Sequence, residues 1–191
     1  MPPAIELFVF LGLTASGKST LAQAFAAARG LACYNSDRLR KELAGVEVTR
    51  SCPEELNQGL YSPAFTRRTY AEMRARAEEE LAAQRSVVLD GSYQSEPERE
   101  LLQELARRHG AQIRFIRCFC SRAETKRRLA LRAQDPAAVS DGRWEIYERQ
   151  LAQAFEPAGW EANQLLALDT SAPVEELLIT LDIELRRCRH V

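Results

Sequence analysis

Two hydrophobic periods alternate along this chain. Short, nearly unbroken apolar runs occur at Ile5–Leu11, Ala32–Ser36, Ser86–Asp90, Ile113–Phe119 and Leu165–Asp169. Runs of that length without polar alternation read as strands buried on both faces, the pattern of a parallel sheet. Between them, apolar residues recur every three or four positions, the repeat of a helix with one buried face. This repeat predicts helices over Ser19–Arg29, Asp37–Leu43, Ser62–Gln84, Glu96–His109, Ala123–Gln134, Arg143–Phe155 and Val174–Arg187. The longest of them carries Phe65, Thr69, Met73, Ala77 and Leu81 at intervals of four, and Gly30 stops the first. Gly45–Gly59 and Asp135–Gly142, each holding proline and glycine, read as irregular. Strands alternating with helices predict an α/β fold, with a parallel sheet between two helical layers. No internal repeat or linker interrupts the pattern, so residues 1–191 read as one domain.

Composition narrows the picture. The chain is 46% hydrophobic and 28% charged over 191 residues, enough to bury a substantial core and unlike a disordered polymer. Its net charge of −1 provides no overall positive field for holding a polyanion. Lysine is confined to Lys18, Lys41 and Lys126; the other cations are arginine. The five cysteines (Cys33, Cys52, Cys118, Cys120 and Cys188) form no C-x-x-C pair. They read as thiols of a reducing compartment rather than a disulfide frame or a zinc site. The opening Met-Pro-Pro-Ala-Ile-Glu shows no signal-peptide pattern, and no apolar run approaches the ~20 residues needed to span a bilayer. A cytoplasmic protein is the expectation.

The chemistry begins at Gly12-Leu13-Thr14-Ala15-Ser16-Gly17-Lys18-Ser19, which fits G-x-x-x-x-G-K-[ST] directly after a strand and before a helix. At average composition the pattern arises by chance on the order of once in a hundred such chains or fewer. Glycine at 12 and 17 lets backbone N–H groups approach phosphate oxygens, with Thr14, Ala15 and Ser16 forming the bend between them. Lys18 adds a cation at the β- and γ-phosphates, and the Ser19 hydroxyl can ligate Mg²⁺. Thr20 extends the helix whose positive end faces the same anions. ATP and Mg²⁺ are the ligands this arrangement calls for.

Strand ends supply the next candidates, because ligands in parallel sheets sit at the carboxyl ends of strands. Asp37 and Arg40 follow the second apolar run; the aspartate can take a proton from an acceptor hydroxyl and the arginine can steady the acceptor. Capping the following helix is the plainer role for Asp37. Asp90 ends Ser-Val-Val-Leu-Asp, where a rigid strand can aim a carboxylate at a metal in a Walker-B-type position. Arg128 and Arg132, four apart, share one helical face and can neutralise charge on a phosphoryl in transit. His109 and His190 read as a helix-end residue and a tail residue, Trp144 and Trp160 as packing residues.

The stretches GLTASGKSTLA, NSDRLRKEL, RTYAEM, SVVLDGSYQ, KRRLALR and ERQLAQAFEP occur in the order and spacing found in P-loop kinases related to zeta toxins, gluconate kinases and polynucleotide 5′-hydroxyl kinases, which the chain resembles over nearly its whole length. The resemblance implies a P-loop NTPase three-layer α/β/α sandwich with five parallel strands in adenylate-kinase-like order. It also implies ATP as donor, Asp37 as base, Asp169 and Thr170 near the adenine, and a lid at about 122–143. In this group the domain occurs alone or fused behind an aminoglycoside-phosphotransferase-like domain, which implies a fused or separate partner. The acceptor expected is a small hydroxyl-bearing molecule. A nucleic-acid 5′-hydroxyl is the alternative, which the charge balance does not favour. A nucleotide-gated regulatory ATPase is the rival from another class. Motor ATPases place glutamate after the strand-end aspartate, whereas Gly91 and Ser92 follow Asp90; no N-K-x-D guanine signature is present either.

Overall fold

The computed structural model describes residues 4–47, 59–134, 143–154 and 164–187. Most of the Gly45–Gly59 excursion, the tip of the expected lid, Phe155, Trp160, His190, Cys52 and Cys188 lie outside those residues.

Five strands, β1 (Glu6–Leu11), β2 (Ala32–Asn35), β3 (Val87–Asp90), β4 (Gln112–Phe119) and β5 (Leu165–Asp169), form one parallel sheet in the order β2-β3-β1-β4-β5. Around it run α1 (Lys18–Arg29), α2 (Ser36–Leu43), α3 (Pro63–Ala82), α4 (Glu96–Arg108), α5 (Arg122–Arg132), α6 (Trp144–Ala152) and α7 (Val174–Arg187). This is the order and layering expected from the sequence.

The central strand explains why both faces are covered. Leu7, Val9 and Leu11 join Met73, Leu81, Leu102 and Phe115 in one core, beneath α3 and α4. Phe8 and Phe10 point the other way, into a core with Phe25, Ile116 and Leu181 under α1 and α7. Successive strand residues face opposite sides, so an unbroken apolar run requires both helical layers. Each large side chain buried this way stabilises the fold by about 1.5–3 kcal/mol.

Element ends depart slightly from the periodicity. α1 starts at Lys18 rather than Ser19, and β2 stops at Asn35 rather than Ser36. The reason for the second lies in the Asn35 side chain, which accepts from the Arg38 N–H at 2.9 Å and caps α2. α3 opens on a Ser62 cap with Pro63 in the first turn, where its missing N–H costs nothing. His109 sits at the cap of α4, as expected, and its Nε2 lies 3.3 Å from Glu78. Cys33, Cys118 and Cys120 are free thiols, and the described residues contain no cluster of three metal-ligating His, Cys, Asp or Glu side chains. Among those residues no helix is long and apolar enough to cross a membrane.

Candidate active site

The turn from β1 into α1 carries the phosphate-loop sequence, and its backbone has the shape that sequence requires. Gly12 and Gly17 take φ of +150° and +81°, and Ala15 also lies at positive φ. A Cβ on Gly12 would stand 2.3 Å from the Cys118 carbonyl oxygen, and one on Gly17 would stand 2.8 Å from both Arg128 Nη1 and Thr170 Oγ1. Only glycine fits at either position. Lys18 rests with Nζ 3.3 Å from the Leu13 carbonyl oxygen, across the mouth of the loop.

Asp90, at the end of β3, is fully buried. Its Oδ2 accepts from Asn35 Nδ2 at 2.5 Å, whereas Oδ1 has no hydrogen-bond partner of good geometry. Burial raises its pKa above the ordinary carboxylate range; Lys18, Asn35 and the Ser19 hydroxyl pull it back, and Asp37 pushes it up. A buried carboxylate with one unsatisfied oxygen, beside a serine hydroxyl, suits a hard divalent cation.

Asp37 lies in the first turn of α2. Because Asn35 performs the capping, the Asp37 carboxylate is not spent on it. That carboxylate is close enough to act on Asp90, Tyr70 and Arg132 alike. Arg132 reaches the same place from α5: burial lowers its pKa, Asp37 raises it and Arg128 lowers it. Lys18, Ser19, Asp37, Asp90 and Arg132 therefore converge, although they come from four elements.

A family model described as an AAA domain matches residues 7–157. This chain belongs to that family. Its fold is that of the P-loop kinase group: a Chloroflexus aurantiacus protein provisionally assigned as a kinase superposes with a TM-score of 0.72, 18% identical, over 98% of this chain and 99% of that one. A gluconokinase from Sinorhizobium meliloti gives 0.62 at 20% identity, over 96% of each chain. The APS kinase CysC of Mycobacterium tuberculosis, solved with AMPPNP and APS, gives 0.63 at 19% identity, over 97% and 99%. In sequence, the uncharacterized protein Rv2004c of Mycobacterium tuberculosis is 31% identical over 172 residues, 90% of this chain. The chain spans about a third (33%) of the length of the curated relatives it matches.

The other candidate residues make the following contacts. Arg128 donates to the Ala15 carbonyl at 3.4 Å, to Thr170 Oγ1 at 3.1 Å and to the Thr170 carbonyl at 2.6 Å, with Glu124 accepting from its Nε at 2.7 Å. Thr170 is buried and donates its hydroxyl to the Ser16 carbonyl at 2.6 Å. Together they brace the back of the loop. Asp169 is exposed and folds onto the Ser171 N–H and hydroxyl. Next to them, Ala15, Gly17, Thr20, Leu131, Ala172 and Val174 line a cavity of about 340 Å³. Arg40 is buried and donates Nη1 to the Leu60 carbonyl at 2.5 Å and to Thr66 Oγ1 at 3.2 Å; its Nε has no hydrogen-bond partner.

The sequence did not reveal the roles of Asn35 and Gln150, nor that Thr170, expected near the adenine, braces the loop. Asn35 both caps α2 and holds Asp90; an Asn-Ser-Asp run at a strand end is a cap signal that could have revealed the first role. Thr170 as a brace and Gln150, whose Oε1 accepts from the Thr14 N–H at 2.7 Å, are contacts between distant segments. Nothing in the local pattern signals them. Trp144 packs against Tyr147, with Arg122 and Lys126 over its ring, in keeping with a packing role.

Proposed function

We propose that this chain is an ATP-dependent kinase that transfers the γ-phosphate to a hydroxyl of a small-molecule acceptor. The observation that carries the reading is Asp37: freed from capping, it stands with Arg132 and Asp90 at the mouth of a loop that stores Lys18. A base at the start of α2 suits an acceptor hydroxyl, and Gly91 follows Asp90 where a motor ATPase carries the glutamate that activates water.

In this reading Gly12, Thr14, Ala15, Ser16, Gly17 and Lys18 surround the phosphates, and Thr20 faces the cavity beside them. That cavity takes the adenine, with Thr170 holding its loop wall and Asp169 shaping the turn that leads into it. Ser19 and Asp90 would hold Mg²⁺, which neutralises phosphate charge when bound. The acceptor oxygen attacks the γ-phosphorus in line, its proton passes to Asp37, and the bond to the β,γ-bridging oxygen breaks to leave ADP. Arg132 neutralises charge on the phosphoryl in transit, and Arg128 holds the loop that presents it. Arg40 offers its unengaged Nε to the acceptor side. Closure of the segment at about 122–143 excludes water. The cytoplasm, with its ATP and reduced thiols, is the compartment that fits. A fused or separate phosphotransferase-like partner belongs to the same reading, since the relatives are long enough to contain one.

A screen of hydroxyl compounds tests this directly: sugars, sugar acids, nucleosides, aminoglycosides and oligonucleotide ends, each with ATP and Mg²⁺, and with Asp37→Ala as the blank. Phosphorylation of one small-molecule class by the wild type alone supports the proposal. ATP hydrolysis that no acceptor stimulates and that Asp37→Ala retains points instead to a gated ATPase. Phosphorylation confined to oligonucleotide ends points to a nucleic-acid kinase.

A further inference from the structure

One peptide unit of the loop is held at both ends. The Thr14 N–H donates to Gln150 Oε1 on α6 at 2.7 Å. The Leu13 carbonyl of the same peptide accepts from the Ser16 N–H at 3.2 Å and from Lys18 Nζ at 3.3 Å. A peptide is planar with its N–H and C=O opposed, so the direction of one sets the direction of the other. Gln150 stands 136 residues away in sequence, yet it governs where the carbonyl that stores Lys18 points.

We propose that Gln150 is a positioning residue: from α6 it fixes the Leu13–Thr14 peptide and, through it, the resting place of Lys18. The inference rests on reading the loop as a phosphate cradle, but its test does not use turnover. Other contacts seat α6 independently. Tyr147 is buried in a small core with Ala15 and Leu129, flanked by Leu13 and Trp144, and Arg122 of α5 pairs with Glu148 at 2.6 Å. With Arg128 and Thr170 bracing Ala15 and Ser16 from behind, the loop is clamped from two sides before any nucleotide arrives. When phosphate takes Lys18 away from the Leu13 carbonyl, Gln150 and the Ser16 N–H still hold that peptide, and the amide array need not rearrange. Such preorganisation raises affinity by removing an ordering cost.

The test compares the wild type with Gln150→Leu, which cannot accept a hydrogen bond, and Gln150→Glu, which can. Nuclear magnetic resonance on the nucleotide-free protein follows the Thr14 amide and the lysine side chains, of which there are only three. In Gln150→Leu the Thr14 amide proton should move upfield and the Lys18 side-chain signal should shift, with Lys41 as the internal reference. Gln150→Glu should restore the Thr14 amide. Calorimetry should show ADP binding weakened roughly fivefold in Gln150→Leu, the effect of one neutral hydrogen bond. Unmoved Thr14 and Lys18 signals in Gln150→Leu, or a Gln150→Glu amide displaced as far as that of Gln150→Leu, would overturn the proposal. Should Gln150→Leu not fold, Gln150→Met makes the same comparison. If the wild type binds no ADP the kinase reading fails, while the resonances still decide the role of Gln150.

Discussion

Asp90 sets stability against use within a single side chain. Its carboxylate is fully buried with Oδ1 unpartnered, and burial raises its pKa, so keeping it ionised at neutral pH costs the empty protein stability. Asp90→Asn should therefore stabilise the nucleotide-free protein by about 1 kcal/mol and abolish any tightening of ADP binding by Mg²⁺. Urea titrations with and without ADP and Mg²⁺ check both halves; a destabilised variant that keeps the Mg²⁺ effect would contradict the metal assignment. Gly17 makes the opposite case. A methyl group there meets Arg128 and Thr170 at 2.8 Å on a backbone of φ +81°, and Gly17→Ala should lose about 1–3 kcal/mol of stability together with nucleotide binding.

At the scale of elements, α5 carries two arginines with separate tasks. The sequence presents Arg128 and Arg132 as an equivalent i, i+4 pair on one face. The fold ties Arg128 to the loop backbone and to Thr170, and leaves Arg132 half-buried within electrostatic reach of Asp37 and Arg128. Arg128→Ala should lower stability by about 2 kcal/mol and weaken ADP binding. Arg132→Ala should leave both nearly unchanged and reduce kcat about 10²–10³-fold. Denaturant titration alongside steady-state kinetics separates the two, and equal losses of stability would contradict the division. Legibility follows the same line. Gly12–Thr20 is one contiguous turn, and Asp37 and Asp90 end or follow strands, so their convergence is readable once a parallel sheet is recognised. The Asn35–Asp90 bond, the Thr170 brace and the grip of Gln150 join segments whose separation in sequence carries no period. Such contacts become visible only when the chain is folded.

Over the whole molecule, the apolar runs specified the sheet because each central-strand residue has a helical layer on its own side; Phe8 and Leu7 belong to different cores. The same burial leaves a mark on alkaline stability. Burial, with Asp90 adding to it and Arg38 opposing it, pushes the Cys33 thiol up to about 12. Burial likewise takes Cys118 to about 12, with Lys18 opposing and Asp90 adding. In the unfolded chain these thiols ionise near their ordinary 9.0. The folded state thus retains protons that the unfolded state releases, and stability should fall as pH rises from 9 towards 12, by up to about 1.4 kcal/mol per pH unit for each thiol. Unfolding midpoints between pH 8.5 and 10.5, on the order of one step per half unit, should slope less steeply in Cys33→Ala and Cys118→Ala; an unchanged slope would assign the effect to other groups.

The most direct measurement is calorimetric titration of ATP with Mg²⁺ into the wild type, Lys18→Ala and Asp37→Ala. The wild type and Asp37→Ala should bind with the same affinity, and Lys18→Ala should show no measurable binding. A wild type that takes up no ATP, or an Asp37→Ala variant that loses binding as completely as Lys18→Ala, would contradict the assignment of the loop as the nucleotide site and Asp37 as the acceptor's base.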